Sequence, residues 1–89
     1  MTEEEFIDIM EDEEKGGRLL KDLKDDNAVM GLMIIRKYLP NKGIEGAEHD
    51  VVFSVSVEEI VEAGITKKDT EMLRDLNWMI DSGSLAVFV

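Results

Sequence analysis

Cysteine is absent from this chain of 89 residues. That excludes disulfide staples, thiolate metal sites and cysteine nucleophiles, and it fits a reducing compartment. Proline, histidine, tryptophan and tyrosine occur once each. The longest apolar run, Val29 to Ile35, is broken by Gly31 and is far too short to span a bilayer. Bases are scarce. Ten Lys and Arg face 21 Asp and Glu, a formal net charge of −11. Phosphate repels such a chain, so direct nucleic-acid binding and anionic membrane contact are disfavoured. The opening Met1-Thr2-Glu3-Glu4-Glu5 is acidic, the opposite of a signal or transit peptide. A cytoplasmic location is expected.

What is present is ordinary globular material. Hydrophobic residues make up 44%, enough to argue against wholesale disorder. The length suits one domain. There is no internal repeat, low-complexity tract or long linker. The charge is uneven: residues 1–14 hold eight acids and no base, leaving 13 acids against all ten bases in the remainder. The chain therefore reads as a single domain over 1–89, with an acidic helical segment at 1–26 and an α/β body at 27–89.

Local signals give the elements. Thr2-Glu3-Glu4-Glu5 forms a capping box, followed by Phe6, Ile9 and Met10 at helical spacing. Gly16-Gly17 breaks that helix, and Leu19, Leu20 and Leu23 share one side of a second short segment. Ala28–Leu39 is apolar nearly all round, the pattern of a buried helix, and Pro40 stops it. Asn41–Ala47, with Gly43 and Gly46, reads as a loop. Asp50–Val55 is β-branched and aromatic, hence a strand. Ser56-Val57-Glu58-Glu59 is a second capping box, opening a helix through Ala63, with Gly64 at its C′ position. Thr66-Lys67-Lys68-Asp69 opens the next helix, ending where Asn77 tolerates a left-handed conformation. From Trp78 the period changes to two, predicting a hairpin turned by Ser82-Gly83. The expected class is α+β, helices on a three-stranded antiparallel sheet. From Ala28 the order is that of a winged helix-turn-helix.

Three groups of polar residues are candidates for function. Glu48-His49-Asp50 holds the single histidine between two carboxylates, residue types that join on a metal. An extended backbone would point Glu48 and Asp50 to one face and His49 to the other, and only further carboxylates are present to complete a zinc site. A polar loop with His49 partly buried is the simpler reading, favoured about nine to one. Lys67, Lys68 and Arg74 would lie on a recognition helix, but Asp69, Glu71 and Asp75 interleave with them, and a solvated face is favoured about four to one. Glu3, Glu4, Asp8, Glu11 and Glu14 face outward if the first helix docks through Phe6, Ile9 and Met10. They form either a solvated face or a phosphate mimic for a partner's basic groove. No nucleophile stands with a base, and Gly43-Ile44-Glu45-Gly46 lacks the Lys-Ser/Thr ending of a phosphate loop. Met10, Met30, Met33, Met72 and Met79 fit a core better than an adaptable groove, and Trp78 reads as a core anchor.

At Gly31-Leu32 through Lys37-Tyr38, at Ala47-Glu48-His49-Asp50, and at Leu76-Asn77-Trp78 with the Phe88-Val89 ending, the chain resembles a group of small phage- and prophage-associated proteins. The resemblance spans roughly residues 29–89. It implies a phage or mobile-element accessory protein and transfers no catalytic residue.

The expectation is a non-enzymatic accessory protein that binds another protein, one with a basic surface if the acidic helix makes the contact, and needs no cofactor. The alternatives are an acidic nucleic-acid-mimic inhibitor, a winged-helix DNA-binding protein, and a metal-dependent enzyme centred on His49.

Overall fold

The computed structural model describes residues 1–12 and 27–88. The expected segment around Leu19–Leu23, and Glu14, lie outside the described residues. The elements are α1 (Glu3–Met10), α2 (Asn27–Tyr38), β1 (Gly46–Glu48), β2 (Val51–Ser56), α3 (Val57–Glu62), α4 (Lys67–Asp75), β3 (Met79–Asp81) and β4 (Ser84–Phe88). The fold is α+β, with four helices and an antiparallel sheet among the described residues. The sheet has four strands in the order β1-β2-β4-β3, one more than expected. The extra strand, β1, comes from the segment read as a loop. Its glycines give no strand pattern, but β2 would otherwise offer an open edge of backbone donors and acceptors. Gly46, Ala47 and Glu48 pair there with Phe53, Val52 and Val51.

The ends of the helices follow from their capping residues. Thr2 and Ser56 form complete capping boxes with Glu5 and Glu59, and Thr66 caps α4 by accepting from the Asp69 N–H. Gly64, at φ 92°, and Asn77, at φ 65°, lie in the left-handed region. Each closes its helix as a Schellman motif. Ile65 N–H donates to Ile60 O at 3.3 Å and Gly64 N–H to Val61 O at 3.0 Å. Trp78 N–H donates to Leu73 O at 3.0 Å and Asn77 N–H to Arg74 O at 2.9 Å. Ser82 and Gly83 both have positive φ, as the type I′ turn between β3 and β4 requires.

The core lies between the helices and one face of the sheet. Cross-strand partners share a face. Val52 is opposite Val87, and Leu85 opposite Ile80. These four pack in one cluster with Phe6, Ile35, Ile60, Leu73, Leu76 and Trp78. Phe6 is fully buried, so the acidic first helix shares the core of the body.

Trp78 joins α2 to the turn between α4 and β3. Its indole Nε1 donates to the Asn27 carbonyl at 3.0 Å, and Asn27 Nδ2 donates to the Leu76 carbonyl at 3.0 Å. The ring lies directly on Gly31: a Cβ there would stand 1.9 Å from Nε1 and 2.2 Å from Cε2. Only glycine permits that approach.

Two expectations about burial need correction. Helix α2 is not buried all round. Val29 is 56% and Met33 63% exposed, and Met30 is exposed beside them. Asn27, Gly31 and Ile35 form its buried side. An apolar circumference does not create a second layer to pack against, and a domain this small has little surface to spare for one. For the same reason Met30, Met33 and Met72 are exposed, Met79 is half-buried, and Met10 alone of the five sits in the core.

Gly31→Ala gives the contact a sign. In an uncrowded helix, alanine would stabilise by about 1 kcal/mol. Against the indole it is expected to destabilise by about 1–3 kcal/mol, the range for overpacking. A urea titration followed by Trp78 fluorescence checks this. A raised midpoint would contradict the contact.

Candidate functional site

The outer face of the sheet carries the second set of strand residues. Phe53 is opposite Ala86, which is also opposite Met79, and Val51 is opposite Phe88. These five side chains form a block across β2, β4 and β3. None of them belongs to the core cluster. Ala86 at its centre is fully buried. Val51, Phe53 and Met79 are half-buried, and Phe88 is 52% exposed. The charged strand residues on this face, among the described residues, are Glu48, opposite Val51, and Asp81, opposite Ser84. Both are exposed, and neither forms an ion pair among the described residues. An apolar block rimmed by polar groups is the usual mark of an interaction surface. Sequence reasoning named none of its apolar members as a site. The available signal was that both phases of the two-residue period are apolar in Val51–Phe53 and Leu85–Phe88, while the described helices pack on the opposite face.

Glu48-His49-Asp50 lies at the tip of the β1–β2 hairpin beside that face. The expected extended geometry is corrected: His49 and Asp50 are the two turn residues, and His49 has φ 54°. His49 is exposed, not partly buried as expected. A tight hairpin needs positive φ at its first turn position when built this way, and histidine tolerates it better than most residues. Among the described residues, no three histidine, aspartate or glutamate side chains are grouped to hold a metal ion.

Glu3, Glu4, Asp8 and Glu11 are exposed along α1. Lys67 and Lys68 are exposed at the start of α4, but Arg74 is not on that face. It is 5% exposed, and its Nε donates to Asp75 Oδ1 at 3.0 Å. This corrects its placement on a solvated or phosphate-facing surface. The stripe that buries Leu73 and Leu76 takes the Arg74 stem inward with it.

A polar cluster ties α2 to α4. Lys37 Nζ donates to Asp69 Oδ2 at 2.7 Å, and the Tyr38 hydroxyl donates to the same oxygen. The Thr66 N–H donates to the Tyr38 hydroxyl at 3.3 Å. The bonds from Lys37, then from Tyr38, hold the Asp69 carboxyl below its ordinary value of 3.8, against a smaller effect of burial. All four groups have internal partners, so the cluster reads as a structural tie. Two open clefts, of about 610 and 640 Å³, flank α1, one against Trp78 and Ile80 and one against Ile65 and Thr66. In the second, the Thr66 hydroxyl caps α4 by accepting from the Asp69 N–H. No described helix is long and apolar enough to cross a membrane.

Two outcomes are expected. Because the Asp69 pKa is lowered by folding, its contribution is present above about 3.8 and lost as pH falls through the lowered value. Asp69→Asn should therefore destabilise at pH 7 and make the acid limb of stability shallower below pH ~4; a parallel curve would contradict this. His49→Gly should match the parent or exceed it by up to ~1 kcal/mol, since glycine removes the left-handed cost. Stoichiometric zinc or manganese in the parent, lost in that variant, would contradict the reading of His49 as a turn residue.

Compared with models of known families, with curated proteins and with solved structures, the chain matches none.

Proposed function

We propose that the chain is a non-enzymatic accessory protein that binds another protein through the outer face of its sheet. The observation that supports this is the block of Val51, Phe53, Met79 and Phe88 around the buried Ala86, none of them part of the main core cluster. Covering an aromatic that is half exposed gains roughly 1 kcal/mol or more from area alone, and aromatic anchors commonly dominate such interfaces. An accessory role in a phage or mobile element rests on the resemblance over residues 29–89 and joins the proposal on that basis.

A second reading is favoured by a different observation. Glu3, Glu4, Asp8 and Glu11 are all exposed on one short helix whose apolar side is fixed in the core. That rigid acidic row supports an inhibitor that mimics a phosphate backbone and occupies a basic cleft. The winged-helix DNA-binding reading has less support, because Arg74 is buried against Asp75 and the net charge is −11.

Immobilised parent protein is compared with two variants, each checked for fold by circular dichroism. One carries Phe53→Ser and Phe88→Ser; the other carries glutamine or asparagine in place of Glu3, Glu4, Asp8 and Glu11. The sheet variant should lose the protein that the parent captures from the native host, and the α1 variant should keep it. The reverse pattern would favour the mimic reading and contradict the first. Retention by both variants would contradict both.

A further inference from the structure

Resting on the sheet-face reading, we propose that the occupant of this surface is a basic amphipathic helix of the partner protein. Charge supports the sign. Among the described residues the outer face carries Glu48 and Asp81 and no cation; Asp50 stands exposed beside its β1 end, and Glu45 there is paired with Lys42 at 3.6 Å. The whole chain carries −11. A second copy seated face to face would bring the same acids together at the rim, which opposes self-association. A partner with Lys or Arg flanking an apolar stripe would pair with Glu48 and Asp81 where they stand.

Shape supports a helix. The apolar block crosses three adjacent strands, β2, β4 and β3. Three strands at the usual spacing are about 10 Å across from first to last, close to the roughly 10–12 Å diameter of a helix with its side chains. A helix laid on the outer face would complete a three-layer arrangement, helices on both sides of one sheet. Its apolar stripe would meet Phe53 and Phe88, and its cations would reach the acids at either end of the block. The exposed face of α2 has the opposite character. Val29 and Met33 are followed there by Arg36 and Lys37, so a basic helix would not choose it.

Two synthetic helices serve as probes, one patterned with leucine and lysine and one with leucine and glutamate. Each is titrated into the full ¹⁵N-labelled chain at physiological salt. The leucine–lysine helix should shift the amide signals of Val51–Phe53, Met79 and Ala86–Phe88, and the leucine–glutamate helix should not. Phe88→Ser should weaken binding about tenfold or more, as expected of an aromatic anchor, with an unchanged circular dichroism spectrum. Glu48→Lys with Asp81→Lys should reverse the preference between the two helices. Equal binding of both helices at this face would overturn the charge assignment and leave the sheet-face reading standing. Shifts confined to α1, or none with either helix, would overturn the sheet-face reading as well. Concentration-dependent shifts at the same residues without any probe would identify a second copy as the occupant and overturn the proposal.

Discussion

The indole of Trp78 resting on the backbone of Gly31 is the constraint on which the arrangement of α2 depends. It fixes α2 against the end of α4 at a distance that no residue larger than glycine allows. The same ring donates to Asn27, and Asn27 donates to the last carbonyl of the α4 turn. Both are buried polar contacts, where a missing partner costs about 1–3 kcal/mol. The left-handed Asn77 turns the chain so that Trp78 reaches this place, and the next residue begins β3. At the far end of α2, Lys37 and Tyr38 meet Asp69 near the start of α4. The two helices are thus tied at both ends. The tie at the Trp78 end is buried, and the other is nearer solvent.

That arrangement places the described helices on one side of the sheet. Val52, Ile80, Leu85 and Val87 take the covered face, and the alternate residues take the other. A strand that is apolar on both faces needs two layers to cover it. Here the core cluster supplies one. The functional proposal follows from that imbalance. The proposed partner is one that covers the apolar block left outside the core cluster, and the acids at its rim are the reason for proposing a basic one.

Much of the fold was legible in the sequence. Thr2, Ser56 and Thr66 marked helix starts, Gly64 and Asn77 marked helix ends, and Ser82-Gly83 marked the hairpin, because each signal is local and depends on one residue's backbone preference. What the sequence did not show depends on neighbours distant in the chain. Gly46–Glu48 has no strand pattern and becomes a strand because β2 offers an edge. Val29 and Met33 look like core and are exposed because nothing in the core cluster faces them. Arg74 looks like surface and is buried because Leu73 and Leu76 on either side set the helix face. Glu3, Glu4, Asp8 and Glu11 are exposed, as their spacing from Phe6 and Met10 implied, since those two fix the phase of that helix. The outer sheet face was missed because periodicity reports which residues share a face, not which face is covered.

The indole N–H of the single tryptophan gives the most direct test of this account. Its signal is unique, and its exchange with solvent deuterium reports the opening of the Trp78–Asn27 contact alone. If this contact is the constraint that holds α2 to the body, exchange requires global unfolding. The free energy of opening should then equal the unfolding free energy from urea titration. An indole N–H that exchanges several kcal/mol below the global value would show that α2 detaches while the rest of the fold stays intact, and would contradict the account.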